Sequence, residues 1–435
     1  MHKPLAALPS LDRSSLPGPS NVRRHEIPNG VVVLARENFA SSSFVISGYL
    51  PAGSISEDKE QAGLAAMTAL ALTRGTKQRA FQEIYESVEA IGASLSLGAG
   101  KHSTSFFVKG LAEDLDMLIR LLVEVLRYPS FPKAQIERLR NERLTGLAIR
   151  DQSTGARAQM AFHDLAYPKH PYSTPVDGYQ ETVAELTAAD LRSFHRQHYG
   201  PGGMVVAVVG AIEAEQAVAA VEASLADWQS PQQASPAELP ALRHAKKNRR
   251  HVVLPEKSQS DLVLGCPGPS RFDPDYLAAA IGNSILGSFG LMGRLGESLR
   301  EEAGLAYYAY SSLGGGPGPG PWQVVVGVDP ANLDSAIELA LKEIGRFAGQ
   351  RVSEEELGDN QANFIGRLPL QMESNVGVAG ALLRIERYRL GLDYYHRYPD
   401  LVAGISREQV LQAAKRFLDL EGVKIGSSGP KARSE

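Results

Sequence analysis

The feature that most constrains the fold of this chain is a weak internal repeat with an offset of 219 residues. The offset is the distance between the predicted helix starts at Thr187 and Ser406 (406 − 187 = 219). One shift aligns four pairs of landmarks in the same order along the chain. The pairs are Val252–Leu254 with Val33, the predicted capping box Ser353-x-x-Glu356 with Pro132 (to within two residues), the helix cap Ser406 with the cap Thr187, and Val423 with Met204. Such self-similarity indicates two copies of one structural unit.

The length of 435 residues exceeds what one hydrophobic core of ~100–200 residues holds. A polar stretch that prolines interrupt separates the two copies, and its composition is typical of a linker. We therefore predict a flexible or surface-draped arm at residues 1–24, a first unit at 25–226, a linker at 227–250 and a second unit at 251–435. The basic run Lys246–Arg250 is interpreted as a solvated linker face rather than a nucleic-acid patch.

Strand-like and helix-like patterns alternate within each copy. Val31–Leu34 follows a Pro-Asn-Gly turn and predicts a buried strand, whereas Leu111–Leu126 carries apolar residues at helical spacing. Thr187, with Asp190 three residues later, predicts the start of a further helix, and Pro132 suits a first helical position. The fold class is therefore α+β: two homologous repeats, each a mostly antiparallel sheet covered by long helices on one face.

Charge and hydropathy exclude two classes of function. The chain has 45 Lys+Arg against 49 Asp+Glu, so it lacks the excess of basic residues that is typical of a nucleic-acid-binding protein. Its longest nearly apolar runs, Ala62–Leu72 and Gly203–Ile212, are shorter than the ~18–20 residues that cross a bilayer, so no membrane span is predicted. We expect no signal peptide in the sequence as given, and a soluble protein of the bacterial cytoplasm or periplasm.

Common catalytic and metal-binding motifs are absent from the sequence. The single cysteine, Cys266, excludes an internal disulfide and is expected to be buried. His195 and His198 form the one helical i, i+3 histidine pair, but no carboxylate completes a metal motif, so we interpret them as a solvated helix face. The glycine-rich run Gly314–Gly320 precedes no phosphate-binding helix and is expected to be a hairpin loop.

The stretch Asn283–Ser312 carries the most chemical information. A helix that bears Arg300 is predicted to end at Gly304, a residue suited to the left-handed conformation, and a strand follows. This bend can bring Arg300 and Tyr307 to one point, where a guanidinium and a neutral phenol can bind a carbonyl or an oxyanion. From the residues alone, a helix C-terminal charge and a tyrosine at the core edge are the simpler interpretation.

The same stretch reads G-R-L-G-E-S-L-R-E-E-A-G-L-A-Y over residues 293–307. It resembles the second-half motif of the pitrilysin-type zinc peptidases, or inverzincins, a family that includes insulin-degrading enzyme and the mitochondrial processing peptidase. The resemblance extends over about residues 25–428. It implies that Arg300 and Tyr307 donate to the substrate carbonyl and to the transition state.

The first half departs from the same family at the metal site. Residues 63–76 read G-L-A-A-M-T-A-L-A-L-T-R-G-T, where catalytic members read roughly G-L-A-H-F-L-E-H-M-L-F-K-G-T. Ala66 and Leu70 replace the two zinc histidines, and Ala69 replaces the general-base glutamate. The third ligand, a glutamate about 75 residues further on, should fall near 145–147, where no carboxylate is present. The resemblance therefore implies that this chain binds no metal or other cofactor.

Some bacterial members of the family divide these parts between two chains. The resemblance implies a non-metal-binding subunit of a heterodimeric zinc metallopeptidase, inactive alone, whose homologous partner carries H-x-x-E-H and the zinc. Arg300 and Tyr307 would then act on a peptide or unfolded polypeptide held between the two chains. Two alternatives remain at this stage: a catalytically inert structural scaffold and a stand-alone peptide-binding protein of the same fold.

Overall fold

Two β-sheets, one of six strands and one of five, organise residues 8–242 and 246–431, which are the residues that the computed structural model describes. Residues 1–7 of the predicted arm, 243–245 of the predicted linker and 432–435 of the second unit lie outside that range. The first sheet contains β1 (Arg23–Glu26), β2 (Val32–Glu37), β3 (Ser43–Leu50), β4 (Ser94–Ala99), β5 (Thr104–Leu111) and β6 (Val205–Gly210). The second contains β7 (Asn248–Val253), β8 (Ser260–Pro267), β9 (Ala306–Leu313), β10 (Pro321–Val328) and β11 (Lys424–Gly429).

The two sheets share one topology, which confirms the predicted pair of mostly antiparallel repeats. The strand orders are β1-β2-β6-β3-β5-β4 and β7-β11-β8-β10-β9, and they correspond strand for strand once β1 is set aside. In both, the pair that joins the first strand of the repeat to its last strand is parallel, and the other pairs described are antiparallel. The offset is 219 at β6 and β11 (424 − 205) but 216 at β2 and β7 (248 − 32), because connection lengths differ between the copies.

Helices occupy most of the remaining chain. The first half contains α1 (Leu64–Ala71), α2 (Phe81–Glu89), α3 (Leu115–Arg127), α4 (Lys133–Asp151), α5 (Thr154–Ala166), α6 (Gln180–Glu185), α7 (Ala188–His198) and α8 (Ala214–Leu225). The second contains α9 (Tyr276–Gly287), α10 (Gly293–Leu295) with its π-helical continuation Gly296–Glu302, α11 (Leu333–Gly349), α12 (Glu354–Gln371), α13 (Asn375–Arg387), α14 (Tyr394–Ala403) and α15 (Arg407–Phe417). Short 3₁₀ turns lie at Arg13–Ser15, Ser54–Ser56, Lys59–Gln61, Leu72–Arg74, Ala112–Asp114, Pro171–Ser173 and Pro330–Asn332. Among the described residues, none of the helices is long and apolar enough to cross a bilayer.

Local sequence signals locate several of these boundaries. Capping boxes are present at Thr187, Ser353 and Ser406, and all three residues were predicted to begin helices. Pro132 is the residue that precedes α4 rather than its first helical residue, because its ψ of 131° is extended. Cys266 is buried as expected, and burial raises the pKa of its thiol to about 12.

One face of each sheet packs on helices of its own half. In the first half, Phe44, Ile46 and Val208 of the sheet contact a core that α1, α3, α7 and α8 complete. In the second half, Trp322 and Val324 pack against α9, α11 and α15. These are the faces that the sequence predicted to be covered by helices.

The other face of each sheet is covered by a helix of the opposite half, which the prediction of single-face cover did not include. Helix α5 lies on β7, β11 and β8, where Ala158 and Phe162 pack with Val263. Helix α13 occupies the matching position (375 − 154 = 221) on β3 and β6, and Leu382 packs in the same cluster as Val205. The reason is that β6 and β11 are buried along their whole length, so both of their faces need a partner.

Two predicted segment boundaries fall inside strands. β7 begins at Asn248, so the end of the basic run pairs with β11 while its side chains stay exposed, and Arg249 forms an ion pair with Asp334. β1 begins at Arg23, and the described part of the preceding arm, from residue 8 onward, packs on the protein with Leu16 buried near α13 and α14. Both strands lie at sheet edges and carry polar side chains. The sequence therefore lacks the apolar pattern from which their pairing could have been predicted.

Replacing Gly426 in β11 is expected to destabilise the contact between α5 and the second sheet. A Cβ at this position would collide with the backbone oxygen of Ala158 and the backbone nitrogen of Phe162. Overpacking of this kind costs ~1–3 kcal/mol, so Gly426→Ala should lower the Tm by several degrees in thermal unfolding followed by circular dichroism. Gly98→Ala in β4 is the matched control, since an added Cβ there has no neighbour within 4 Å. Equal Tm values for the two variants would contradict the close approach of α5.

Candidate functional site

Arg300 lies on the exposed side of a π-helical segment. Leu295 and Leu299 bury the opposite side of this segment in the second core. The side chain of Arg300 is 42% exposed, and its Nε is 3.5 Å from Glu301 Oε1, a surface ion pair that leaves the guanidinium available to a ligand. Gly304 ends the segment at φ +62°, which confirms the predicted left-handed residue. π-helical turns within a helix are frequent at functional sites.

Tyr307 is exposed because of a β-bulge in the edge strand β9. Tyr308 pairs with Gly327, but the next partner of β10, Val328, pairs with Ala306, so Tyr307 is the additional residue. Regular alternation would place Tyr307 on the same face as Ala309, which is in the core. The bulge turns it outward instead, where it is 59% exposed. Bulges commonly redirect a side chain next to an active site.

The neighbouring Tyr308 is held in a hydrogen-bond network and is not free to bind a ligand. Its phenol donates to the buried carboxylate of Asp261, which also accepts from Gln259 Nε2 at 3.1 Å and from the hydroxyl of Thr154 on α5. Burial and the adjacent carboxylate raise the pKa of Tyr308 well above its usual value. Sequence reasoning missed Asp261, although an acidic residue beside the apolar run Leu262–Leu264 was a signal that it binds buried donors.

Arg300 and Tyr307 lie on neighbouring elements at one sheet edge. The π-helical segment packs against β9, and β9 is the outermost strand of its sheet. Within residues 8–242 and 246–431, no hydrogen bond or ring contact joins the two side chains. Both side chains therefore keep donors that a ligand at this edge could use.

The first-half positions that correspond to a zinc motif carry only hydrocarbon side chains. Ala66 and Ala69 on α1 are 5% and 0% exposed, and neither alanine nor the partly buried Leu70 has a lone pair to offer to a metal. Leu70 instead lines an apolar groove of about 480 Å³ between α1, α2 and β4, together with Phe81 and Leu97. The residues present do not fit a zinc ion.

The one carboxylate near the expected third ligand is already paired. Glu142 on α4 accepts from Arg74 Nη2 at 2.8 Å and from Arg138 Nε at 3.2 Å, one guanidinium on each oxygen. The described part of the chain contains no group of three or more His, Cys, Asp or Glu residues arranged to hold a metal ion. His195 packs against Tyr199 with Nε2 2.8 Å from Leu126 O, so the interpretation of a solvated histidine face is wrong for this residue.

A partly buried glutamate holds the start of α1 in place of a side-chain cap. Glu57 accepts from the backbone N–H groups of Gly63 at 3.0 Å and Ala65 at 2.7 Å, while Gly63 has a φ of +99°. Burial raises the pKa of Glu57 to about 7, although these two hydrogen bonds act in the opposite direction. The degenerate motif thus lies on an ordered helix rather than on a collapsed loop.

The raised pKa of Glu57 predicts a pH-dependent contribution to stability. Protonation of Glu57 favours the folded state, so this contribution is complete below pH 4.5 and is lost as the pH rises through about 7. We expect the Tm to fall less between about pH 5 and about pH 8 in Glu57→Gln than in the parent, measured by differential scanning calorimetry. Glu60→Gln, at an exposed residue three positions away, is the control and should follow the parent. Parallel curves for parent and Glu57→Gln would refute the assignment.

Comparisons with known proteins agree with the geometry. Residues 31–178 match the family described as insulinase (peptidase family M16), and residues 185–364 match the peptidase M16 inactive domain. An uncharacterised zinc protease of Streptomyces coelicolor is 25% identical over 396 residues, covering 89% of this chain and 85% of that protein. Human mitochondrial cytochrome b-c1 complex subunit 1 is 26% identical over 266 residues, covering 60% of this chain and 55% of that protein.

A solved structure extends the match to the three-dimensional fold. The crystal structure of a peptidase M16 inactive domain from Pseudomonas fluorescens has a TM-score of 0.87 and 27% sequence identity, and the match covers 95% of this chain and 100% of that one. Both halves of the chain are thus M16-like units, in agreement with the resemblance to pitrilysin-type peptidases. The chain belongs to peptidase family M16.

Proposed function

We propose that this chain is the non-metal-binding subunit of a heterodimeric zinc metallopeptidase, inactive alone. The observation that carries the proposal is a contrast within one M16 chain. In the first half, Ala66, Ala69 and Leu70 stand where two zinc ligands and the base are expected, and no carboxylate is present at 145–147 for the third ligand. In the second half, Arg300 and Tyr307 are both exposed at the edge of the sheet. A homologous partner with an intact H-x-x-E-H motif would contribute zinc, which activates a water molecule for attack on a peptide carbonyl.

The two exposed donors suit the binding of a carbonyl oxygen that gains negative charge. The guanidinium of Arg300 is permanently charged, so its hydrogen bonds to an oxyanion are stronger than those of a neutral donor. The phenol of Tyr307 supplies a second donor from a different element. Leu299 on one side and the bulge on the other fix the backbone of both residues before a substrate arrives, which is the condition for electrostatic stabilisation of a transition state.

The proposed substrate is a peptide or an unfolded polypeptide. Tyr307 lies on an edge strand whose outer side has no partner among the described residues, and such an edge is accessible to an extended chain. A folded protein presents few carbonyl groups that could reach between Arg300 and Tyr307 at this edge. An extended segment presents one at every residue.

A structural scaffold is the second candidate, and one comparison favours it. One relative is named as a subunit of the mitochondrial cytochrome b-c1 complex. A scaffold role would account for the loss of the metal ligands without any further chemistry. It would not require Arg300 and Tyr307 to be exposed, and their exposure is why the peptidase subunit is preferred.

Substitution of either donor is expected to reduce the turnover of the assembled enzyme. The chain should be co-expressed with a homologue that carries H-x-x-E-H and assayed with a quenched fluorescent peptide. Loss of one preorganised donor should lower kcat by ~10²–10³ in Arg300→Ala and in Tyr307→Phe, with a smaller effect on KM. Tyr310→Phe is the matched control, since this phenol is 40% exposed on the same strand and should leave kcat within about twofold of the parent.

Two results would contradict this proposal and favour the structural scaffold instead. One is failure of any H-x-x-E-H homologue to form a complex with this chain in size-exclusion chromatography. The other is an active complex whose kcat is the same in the parent, Arg300→Ala and Tyr307→Phe. Unchanged thermal unfolding of both variants would show that the comparison concerns folded proteins.

Metal analysis separates the contributions of the two chains. We expect the purified chain to contain far less than one equivalent of zinc, because three of its motif positions are Ala66, Ala69 and Leu70 and because Glu142 is paired with two arginines. The complex should contain about one zinc per heterodimer by inductively coupled plasma mass spectrometry, and the partner alone should account for it. A stoichiometric zinc ion in this chain alone would contradict the assignment.

A further inference from the structure

Three arginines line a polar cavity of about 300 Å³ between α9, α12, α13 and α14. We call this cavity the arginine pocket. Its arginines are Arg271, Arg367 and Arg384. Tyr276, Asn283 and Tyr398 are the neutral polar residues that bear on its chemistry. The degenerate zinc motif and the Arg300/Tyr307 pair do not line it.

The three guanidinium groups contact aromatic side chains and no carboxylates. The contacts are Arg271 Nη2 to Tyr394 Oη at 3.2 Å, Arg271 over the ring of Tyr276 at 4.3 Å, Arg384 Nε to Tyr395 Oη at 3.1 Å, and Arg367 over the ring of Phe364 at 4.1 Å. Among the residues described, none of the three has an Asp or Glu oxygen within ion-pair distance. Stacking on aromatic rings positions an arginine without neutralising it.

Three acidic residues that lie close in sequence to Arg271 and Arg384 are paired elsewhere. Asp273 and Asp275, which follow Arg271, both accept from Arg416, at 3.0 and 2.7 Å. Glu386, two residues after Arg384, accepts from Arg24 at 2.8 and 3.0 Å. These three carboxylates are therefore committed to other partners and do not neutralise the arginines of the pocket.

The tyrosines of the pocket do not supply negative charge either. Burial raises the pKa of Tyr276 and of Tyr398, so both phenols stay protonated at physiological pH. A phenol can donate a hydrogen bond to an anion, which adds to the attraction of the guanidinium groups.

One acceptor in the pocket also has no donor. The side-chain oxygen of Asn283 is buried without a hydrogen-bond partner, while its Nδ2 lies 3.4 Å from Ser288 Oγ. This oxygen is closed off from solvent, so it offers a ligand no acceptor. The groups that a ligand meets in the pocket are the guanidiniums and the phenols, which are donors, and donors of this kind favour an anion that accepts several hydrogen bonds, such as a carboxylate.

We propose that the arginine pocket binds a carboxylate group of a peptide. The carboxylate is either the C-terminus or an Asp or Glu side chain, which present the same chemistry to the guanidinium groups. The inference deepens the proposed function and rests on it for the identity of the ligand as a peptide. Leu313 lines the pocket at one end of β9 and Tyr307 lies near the other end, so about 20 Å of strand, or six extended residues, separates the two binding groups.

Binding of labelled peptides to the full chain, without a partner, tests the pocket directly. Three octapeptides of Ala and Ser, N-terminally labelled with an uncharged boron-dipyrromethene dye, are compared by fluorescence anisotropy: a free C-terminal acid, its C-terminal amide, and the amide with one internal Glu. We expect the free acid, the Glu-containing amide or both to bind about tenfold more tightly than the plain amide, because only they offer a carboxylate to the guanidinium groups. The double variant Arg367→Gln/Arg384→Gln should abolish the difference.

The control variant is Arg196→Gln, which removes an exposed positive charge from α7 in the first half and should keep the tenfold difference. Arg367 and Arg384 are exposed residues, so the double variant should fold, and its Tm checks this. Preference for the free acid alone assigns the pocket to peptide C-termini, and preference for the Glu-containing peptide assigns it to acidic side chains. Equal affinity of all three peptides, absence of binding, or a difference that survives in the double variant would overturn the proposal. The assay uses neither zinc nor a second chain, so its outcome is independent of whether the heterodimer forms.

Discussion

The exchange of helices α5 and α13 between the two halves is the interaction on which the rest of the fold depends. Each sheet has a central strand that is buried on both faces, and the helices of one half cover only one of these faces. The second face would expose a continuous apolar surface if either half stood alone. The exchange also reaches the candidate site, because Thr154 on α5 donates to Asp261, which in turn holds Tyr308. A residue of the first half thereby helps to decide which tyrosine of the second half is free.

The sequence predicts those parts of the fold that depend on neighbours along the chain. The capping residues Thr187 and Ser353, the left-handed Gly304 and the hairpin loop at Gly314–Gly320 all follow from local rules and are found where expected. Helices α5 and α13 were not predicted. Both pack through small residues such as Ala158 against strands more than 80 residues away, and small residues give a weak amphipathic signal. Their partners are defined only by the tertiary fold.

The same limit applies to the candidate site. Spacing and resemblance placed Arg300 and Tyr307 on a helix end and a following strand, where the structure has them. No sequence rule locates the bulge that turns Tyr307 outward, because it depends on the register between β9 and β10. The pairing of Tyr308 with Asp261 is likewise a contact across the sheet. The placement of Arg300 and Tyr307 was therefore accessible from sequence, whereas the reason why one tyrosine is exposed and its neighbour is not required the structure.

The chemistry of the remaining groups is consistent with binding rather than with hydrolysis by this chain alone. A hydrolytic site needs a nucleophile and a base, and the positions that would provide them carry Ala66, Ala69 and Leu70. The carboxylate nearest in sequence to the expected third ligand, Glu142, is neutralised by two guanidinium groups and so has little tendency to accept a proton or coordinate a metal. What the second half offers to a ligand is instead a set of hydrogen-bond donors and positive charges, at Arg300, at Tyr307 and in the arginine pocket. Donors of this kind stabilise charge that another group has generated, and they act only when such a group is brought to them. A partner chain is thus a chemical requirement of the proposed activity.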